Sequence, residues 1–523
     1  MGRSNFVTKK SEPINSVEDQ RDPSDPSTQL DILTIAFILV TWVFVFPLLV
    51  PTHTSDRGVF VDVAERLLAG DRLYAEVYDN KDPLFFYFVA AQRILGGFGE
   101  IAFEGILVII AAASSFALAQ LITTKRYAAA VSFVAVPIIL TGTFYFPGCT
   151  ELPGVSLSLA ACAFVARRRL IISGVCIGLL VFTKEVMVPV AVVAVACIFL
   201  ARFRPIDSYK LVLPTAVTIF GIGCILLARS EFWPFVKVTI ENIRYSQNPV
   251  LIDSNSLWTS VTSRLHRISS SSLYSSIFSF LVSLFLVLSL LSQHHRKRRL
   301  VVSLITASVA SFVVAAIVLA LTGLWDQHNQ ILYIPSVLIA ICVSAMVESG
   351  FRSARPILLF CLSVNLAFLL GGSPGPGRYL HKPMDIIASV RMLDAIPPAA
   401  KRLLRIGSTG AYARLGPNDD YGHAFGLNNW KLVCPRFHQY SFQSAKILNE
   451  VLSCAASAPT LIVTESFAHE EGRPIWNQFI DNGETLLRSS YSCDAESGLR
   501  ICTRVGGRTS TNSAPSLPPI PNG

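Results

Sequence analysis

Between residues 55 and 97 a largely apolar stretch gathers several ionisable groups, among them Asp56, Asp79, Lys81 and Asp82. Asp56 stands about five residues beyond the first long apolar run, at what would be a membrane surface. A carboxylate that close to hydrocarbon is costly unless solvated or paired, so it is either an ordinary loop charge or a group kept for chemistry. The surrounding pattern favours the second. Phe60, Val63, Ala64, Leu67 and Leu68 recur at helical spacing and Gly70 follows, so a short amphipathic helix would lie on the membrane with Asp56 at its start. Held in that way, a carboxylate can serve as a general base, a role contributing about 10²–10⁴-fold in rate.

Such a site needs a scaffold, and the composition points to a membrane one. Of 523 residues, 52% are hydrophobic and only 15% charged, and the mean hydropathy is +0.51. Soluble domains average about 25% charge, so a soluble enzyme is excluded, as are a disordered chain and a disulfide miniprotein. Residues 1–30 are polar and proline-containing and read as a disordered cytoplasmic tail. About eleven spans fit: 31–51, 101–122, 127–146, 151–166, 170–184, 187–201, 211–228, 274–293, 300–323, 330–348 and 356–372. Those near 15 residues reach only about 22 Å and require a thinned bilayer or burial against neighbours. The first run lacks a cleavage site and is too long for a signal-peptide core, so it is read as an uncleaved span. No internal repeat is evident.

Orientation follows from the loops. Lys125 and Arg126, Arg167 to Arg169, Arg202, Arg204 and Lys210, Arg296 to Arg299, and Arg352 and Arg355 face a single acid, Asp207. The positive-inside rule places this set in the cytoplasm and the acid-rich loop 52–100 outside. Topology thereby accounts for the net charge of +9, and nucleic acid is not required as a partner. The assignment holds only if 84–98 does not span. That segment is short, contains Gln92 and Arg93, and ends in Gly96-Gly97-Phe98-Gly99, so an interfacial or re-entrant helix is expected.

After GGSPGPG at 371–377 the composition becomes soluble. Residues 378–505 alternate helical periods with β-rich runs at Leu404–Ser408, Leu461–Thr464 and Leu499–Val505, which reads as a small extracytoplasmic α/β domain. A Ser/Pro/Gly tail, 506–523, is expected to be disordered. The chain is thus read as a polytopic α-helical membrane protein, with a membrane module at 31–372 and the α/β domain after it. Cys434, Cys454, Cys493 and Cys502 fall in the outer domain. Four cysteines in an oxidising compartment allow two disulfides, with Cys493–Cys502 able to clamp a hairpin; free thiols are the open alternative. No Cys/His spacing resembles a zinc site.

The first outer loop resembles the signature of the GT-C glycosyltransferases, multi-pass enzymes that use polyprenyl-phosphate sugars. The elements carrying the resemblance are Asp56, Gly70-Asp71-Arg72-Leu73-Tyr74, Asp79-Asn80-Lys81-Asp82-Pro83-Leu84, and Phe85-Phe86-Tyr87. The subgroup it is most similar to is the aminoarabinose-transferase and protein-mannosyltransferase type, in which the post-proline helix is juxtamembrane. Weaker similarities occur at Phe146 to Glu151, at Gly174, Gly178 and Thr183-Lys184, and at Trp325 to His328 with Tyr333 and Pro335.

The resemblance implies transfer of a sugar from a polyprenyl-phosphate donor to a lipid, glycan or protein hydroxyl, on the outer face of a plasma (inner) membrane. Asp56 would be the base, and Lys81 and Lys184 would receive the developing phosphate charge where water is scarce. A single displacement would invert the anomeric centre. Asp79, Glu151, Tyr74 and His328 would orient sugar or acceptor. No cofactor is certain; a divalent metal is compatible, although the scattered carboxylates lack metal-ligand spacing. Plainer readings stand beside these: Lys184 with Glu185 as a helix-end pair, Glu151 as a helix cap, and His328 as a loop residue. A transporter or flippase, and a non-catalytic assembly subunit, are the competing functions.

Overall fold

The structure is a computed structural model describing residues 32–49, 55–137, 150–246, 298–322, 330–348, 411–415, 431–434, 445–464, 467–469, 474–496 and 499–505, with Leu140 and Gly148. The expected spans 274–293 and 356–372, the run Leu404–Ser408, the two tails and His328 lie outside the described residues.

Helices dominate the described residues up to Glu348. They are α1 (Ile32–Val45), α2 (Ser55–Leu68), α3 (Pro83–Ile94), α4 (Gly96–Ala119), α5 (Lys125–Ala130), α6 (Glu151–Ala166), α7 (Leu170–Val181), α8 (Val188–Arg202), α9 (Tyr209–Ala228), α10 (Phe232–Ser246), α11 (Arg298–Thr322) and α12 (Tyr333–Glu348). Among the described residues, four stretches are long and apolar enough to cross a membrane: Gly99–Ala119, Glu185–Arg202, Pro205–Ala228 and Arg299–Val318. Shorter apolar helices cover Ile32–Val43, Glu151–Ala166, Leu170–Val181 and Gln330–Ala345. The chain is a helical membrane protein with four candidate spans among the described residues and a small C-terminal α/β region.

Apolar side chains give little net drive for helix association in lipid, so small residues and cross-helix hydrogen bonds set the contacts. Ser156 of α6 donates to Leu107 O of α4 (2.9 Å), and Ser173 of α7 to Ala161 O of α6 (2.8 Å). On α11, Ser303 donates to Cys197 O of α8 (3.2 Å) and Ser308 to Pro335 O of α12 (2.7 Å). Gly174 and Gly178 of α7 admit α9: a Cβ at 174 would lie 2.4 Å from Leu211 O, and one at 178 would lie 2.6 Å from Thr218 Cβ. The Gly-x-x-x-Gly of the sequence is a packing groove.

The segment 84–98 is not one helix. α3 ends at Ile94 and α4 begins at Gly96, and the 12-residue α3 reaches only about 18 Å. Arg93 fixes this corner, donating to Glu65 of α2 (2.8 Å) and Glu100 of α4 (2.9 Å).

The C-terminal region holds a five-stranded sheet, β1 (Ala411–Leu415), β2 (Lys431–Leu432), β3 (Thr460–Thr464), β4 (Tyr491–Glu496) and β5 (Leu499–Arg504), in the order β2-β1-β3-β5-β4. β1 is parallel to β2 and β3; β5 is antiparallel to β3 and β4. Helices α13 (Ala445–Ser457) and α14 (Pro474–Ser490) bury one face, against Leu415, Leu461, Val463 and Cys502. Successive strand residues point to opposite faces, and the other face, with Tyr412, Ile462 and Ile501, packs on Val59, Phe60, Val63, Phe85 and Phe86 of α2 and α3. Burial on both faces explains why Leu461-Ile462-Val463 is a continuous apolar run rather than an alternating one. Disulfides join Cys434 to Cys454 (Cα–Cα 5.7 Å) and, across the β4–β5 hairpin, Cys493 to Cys502 (Cα–Cα 4.0 Å).

Candidate functional site

Asp56 is the second residue of α2, one turn ahead of Phe60. The Phe60 ring meets Phe85 edge-on at 4.9 Å and Phe86 at 6.0 Å, so the second turn of α2 lies beside the first turn of α3. Two helices that begin together need a return segment, here residues 69–82. Gly70, at φ +100°, stops α2.

The return segment is built to hold Lys81. Tyr74 takes φ +63°, uncommon for a residue with a Cβ. It is held there by its own N–H to Val77 O (2.6 Å) and by burial of its ring, 5.6 Å from Phe235. Its hydroxyl donates to Lys81 O at 2.6 Å, while Lys81 N donates to Asp79 Oδ1 at 3.0 Å. Burial, followed by the charges of Asp82 and Asp79, pushes the Tyr74 phenol well above its ordinary pKa, so it stays a donor. The Lys81 backbone is therefore fixed at both its amide and its carbonyl. Its side chain is half-buried, and among the described residues its ammonium forms no ion pair.

Lys184 sits differently. It follows α7 and is buried, with Nζ 2.8 Å from Glu151 Oε1 and 2.9 Å from Thr150 Oγ1. Glu151 opens α6. Gly154, on the same helix, makes room for this pair: a Cβ there would stand 2.6 Å from Met187 Sδ and 3.0 Å from Lys184 Cβ.

Asp82 joins the two lysine turns. It precedes α3, is buried, and accepts Glu185 N at 3.1 Å through Oδ2, while Leu84 N donates to Phe182 O at 2.9 Å. Its carboxyl also bonds the Glu185 carboxyl. Burial first, then the Glu185 charge, pushes Asp82 well above the usual carboxylate range.

A second knot lies beside Tyr74. Glu231, in the link between α9 and α10, is fully buried and accepts Leu73 N (3.0 Å), Tyr87 Oη–H (2.5 Å) and Arg229 Nε (3.0 Å). The Arg229 guanidinium lies 5.4 Å from the centre of the Tyr87 ring. Burial and the bond to Glu231 raise the Tyr87 pKa, so this phenol also remains a donor. On the far side of the segment, Arg66 of α2 holds Asp71 (2.6 Å), Glu76 O (2.5 Å) and Cys434 O (3.0 Å), tying α2, the return segment and the C-terminal region together.

Of the residues singled out in the sequence, Tyr74, Asp79 and Lys81 share one turn, and Lys184 and Glu151 form one ion pair. The Asp82–Glu185 contact links the two groups. Lys184 pairs with Glu151 across 33 residues, in addition to standing beside Glu185. Glu231, Arg66 and the linking role of Asp82 were not singled out. Glu231 stands two residues past the apolar run that ends at Ala228, after Arg229-Ser230 and before Phe232-Trp233, which marks an interfacial acid but does not tie it to this loop. Among the described residues no three His, Cys, Asp or Glu side chains converge as metal ligands, and Glu151, Asp82 and Glu231 are committed to the partners above.

No family model matches the sequence, and no curated protein matches it. Solved structures do. ArnT from Cupriavidus metallidurans bound to undecaprenyl phosphate is similar with a TM-score of 0.53 at 14% identity, over 92% of this chain and 99% of that one. The arabinofuranosyltransferase AftD from Mycobacteria gives 0.48 at 12% identity, over 92% of this chain and 40% of that one. The Archaeoglobus fulgidus oligosaccharyltransferase in complex with Zn and sulfate gives 0.41 at 12% identity, over 90% and 73%. The first of these shows the fold, which is GT-C-like.

Proposed function

From this GT-C-like fold we propose that the chain is a membrane glycosyltransferase moving a sugar from a polyprenyl-phosphate donor to an acceptor hydroxyl. The observation that carries the reading is Lys81: a half-buried residue whose ammonium has no ion pair among the described residues, on a backbone fixed by Tyr74 and Asp79 just ahead of α3. A cation so placed suits a lipid phosphate. That the similar ArnT structure has undecaprenyl phosphate bound supports the same donor class.

In the proposed step the acceptor oxygen attacks the anomeric carbon from the side opposite the phosphate. The new C–O bond forms as the sugar–phosphate C–O bond breaks, and that electron pair stays on the phosphate oxygen, facing Lys81. The acceptor proton passes to Asp56, and the anomeric centre inverts. Lys184 joins as a second phosphate cation only by exchanging Glu151 for the donor. Asp79 fixes the Lys81 amide, and Glu151 sets the Lys184 position.

We place this chemistry on the extracytoplasmic face of the plasma membrane, within about eleven spans and with the N-terminus inside. The basic loops support that orientation. So does the pair of disulfides, which belong to oxidising compartments, in a region bonded to α2 through Arg66. The acceptor is a lipid, glycan or protein hydroxyl. The test is sugar release from a polyprenyl-phosphate donor by purified Asp56→Asn protein. Turnover should fall by about 10²-fold or more; undiminished turnover rejects this residue as the base.

A further inference from the structure

Glu231 lies far in sequence from the loop that carries Asp56 and Lys81, yet it bonds that loop directly. Its Oε1 accepts the Leu73 N–H and its Oε2 the Tyr87 hydroxyl, one on each side of Lys81 in the chain. Tyr74, next to Leu73, reaches on to Lys81 O, and its ring leans on Phe235 of α10. The path from Glu231 to the Lys81 backbone thus runs through two residues, and every link is buried or part-buried. Arg229 supplies the countercharge from the exposed side, so the carboxylate stays inside without being orphaned.

We propose that Glu231 is the positioning residue of the donor-phosphate site: its carboxylate pins Leu73 and Tyr87, and through Tyr74 fixes where Lys81 presents its ammonium. Glu231 touches no reacting atom. Its charge is spent on three internal donors, and its effect on a bound phosphate passes entirely through the return segment. The α9–α10 link is thereby part of the donor site, although its sequence does not tie it to the loop that carries Lys81. The inference rests on the reading of Lys81 as the phosphate cation.

The experiment uses the full chain in nanodiscs and has two arms. The first reads amide hydrogen exchange with no lipid ligand. Glu231→Ala should lose protection over 71–81 while α6 to α8 keep theirs. Glu231→Gln, which retains an acceptor for Leu73 N–H, should behave as the parent. Unchanged exchange over 71–81 in Glu231→Ala overturns the clamp. The second arm measures binding of undecaprenyl phosphate against undecaprenol. Glu231→Ala should weaken the phosphate preference by about tenfold, the double variant with Lys81→Ala should lose no more than Lys81→Ala alone, and Glu231→Gln should restore it. Losses that multiply, or a phosphate preference equal to the parent's, overturn the positioning role. Should Glu231→Ala fail to fold, Tyr74→Phe removes the last link alone and must show the same phosphate-specific loss. A parent protein that binds undecaprenol and undecaprenyl phosphate equally sinks the donor reading itself, and the exchange arm still judges the clamp.

Discussion

The two lysine turns of this protein look alike in sequence and differ in everything that decides chemistry. Lys81 sits on a turn fixed through its backbone, with its side chain half in solvent and its ammonium outside any ion pair among the described residues. Lys184 is buried and holds Glu151 and Thr150 within 3 Å. An ammonium that already has a buried carboxylate gains little from a phosphate, because it must give up one anion to take another. An ammonium on a fixed backbone with an open face gains the whole interaction. The difference teaches that a cation's role is set by what its side chain has already satisfied.

The sharpest way to break the comparison is Glu151→Ala. It leaves Lys184 buried without its carboxylate, and unfolding in detergent should show a loss of about 3–5 kcal/mol. Glu151→Leu combined with Lys184→Met should recover most of that loss; if it also keeps sugar transfer, Lys184 is a strut rather than a ligand. Next in size is Lys81→Met. Turnover should fall by about 10²-fold, with the melting temperature unchanged. A stability loss as large as that of Glu151→Ala would erase the distinction between the turns.

Asp82, which joins them, gives a pH test. Its raised pKa means the folded protein holds a proton that the unfolded chain releases. The stabilisation is therefore complete below the ordinary carboxyl range and is lost as pH rises through the raised value, at no more than about 1.4 kcal/mol per pH unit. Asp82→Asn cannot ionise, so its melting temperature should lack that decline with rising pH. The smallest effect is expected from Gly154→Ala, about 1 kcal/mol, because Met187 can rotate from the new methyl while Lys184 Cβ is pressed. Thermal unfolding reads it, and Lys81-dependent donor binding should not move.

Much of the membrane region was legible because its signals are local. An apolar run of given length and a glycine after a helical period depend on neighbours within one or two turns, and α2, α4 and α6 to α9 stand close to where the sequence placed them. The strands at 460–464 and 499–504 were legible for the same reason. β1 and β4 were not, since Ala411-Tyr412-Ala413-Arg414-Leu415 is short and Tyr491 to Glu496 is mostly polar. Both are strands only because β3 and β5 are there to pair with. Within the site, Asp79, Lys81 and Tyr74 were visible as a motif, whereas Glu231 and Arg66 were not. Their partners lie 158 and 368 residues away, in Leu73 and Cys434, and no spacing rule reaches that far.

The sequence alone determined a membrane-embedded helical chain, an acid-and-lysine loop between its first apolar segments, and a cysteine-bearing α/β region at the other end. Those follow from hydrophobic period and turn chemistry, which are written residue by residue. Only the tertiary structure decided that Lys184 is taken by Glu151, that Lys81 is not, that burial raises the Asp82 pKa, and that the sheet's second face lies on α2 and α3. Availability and protonation depend on burial and on partners brought from distant parts of the chain, and packing alone sets both.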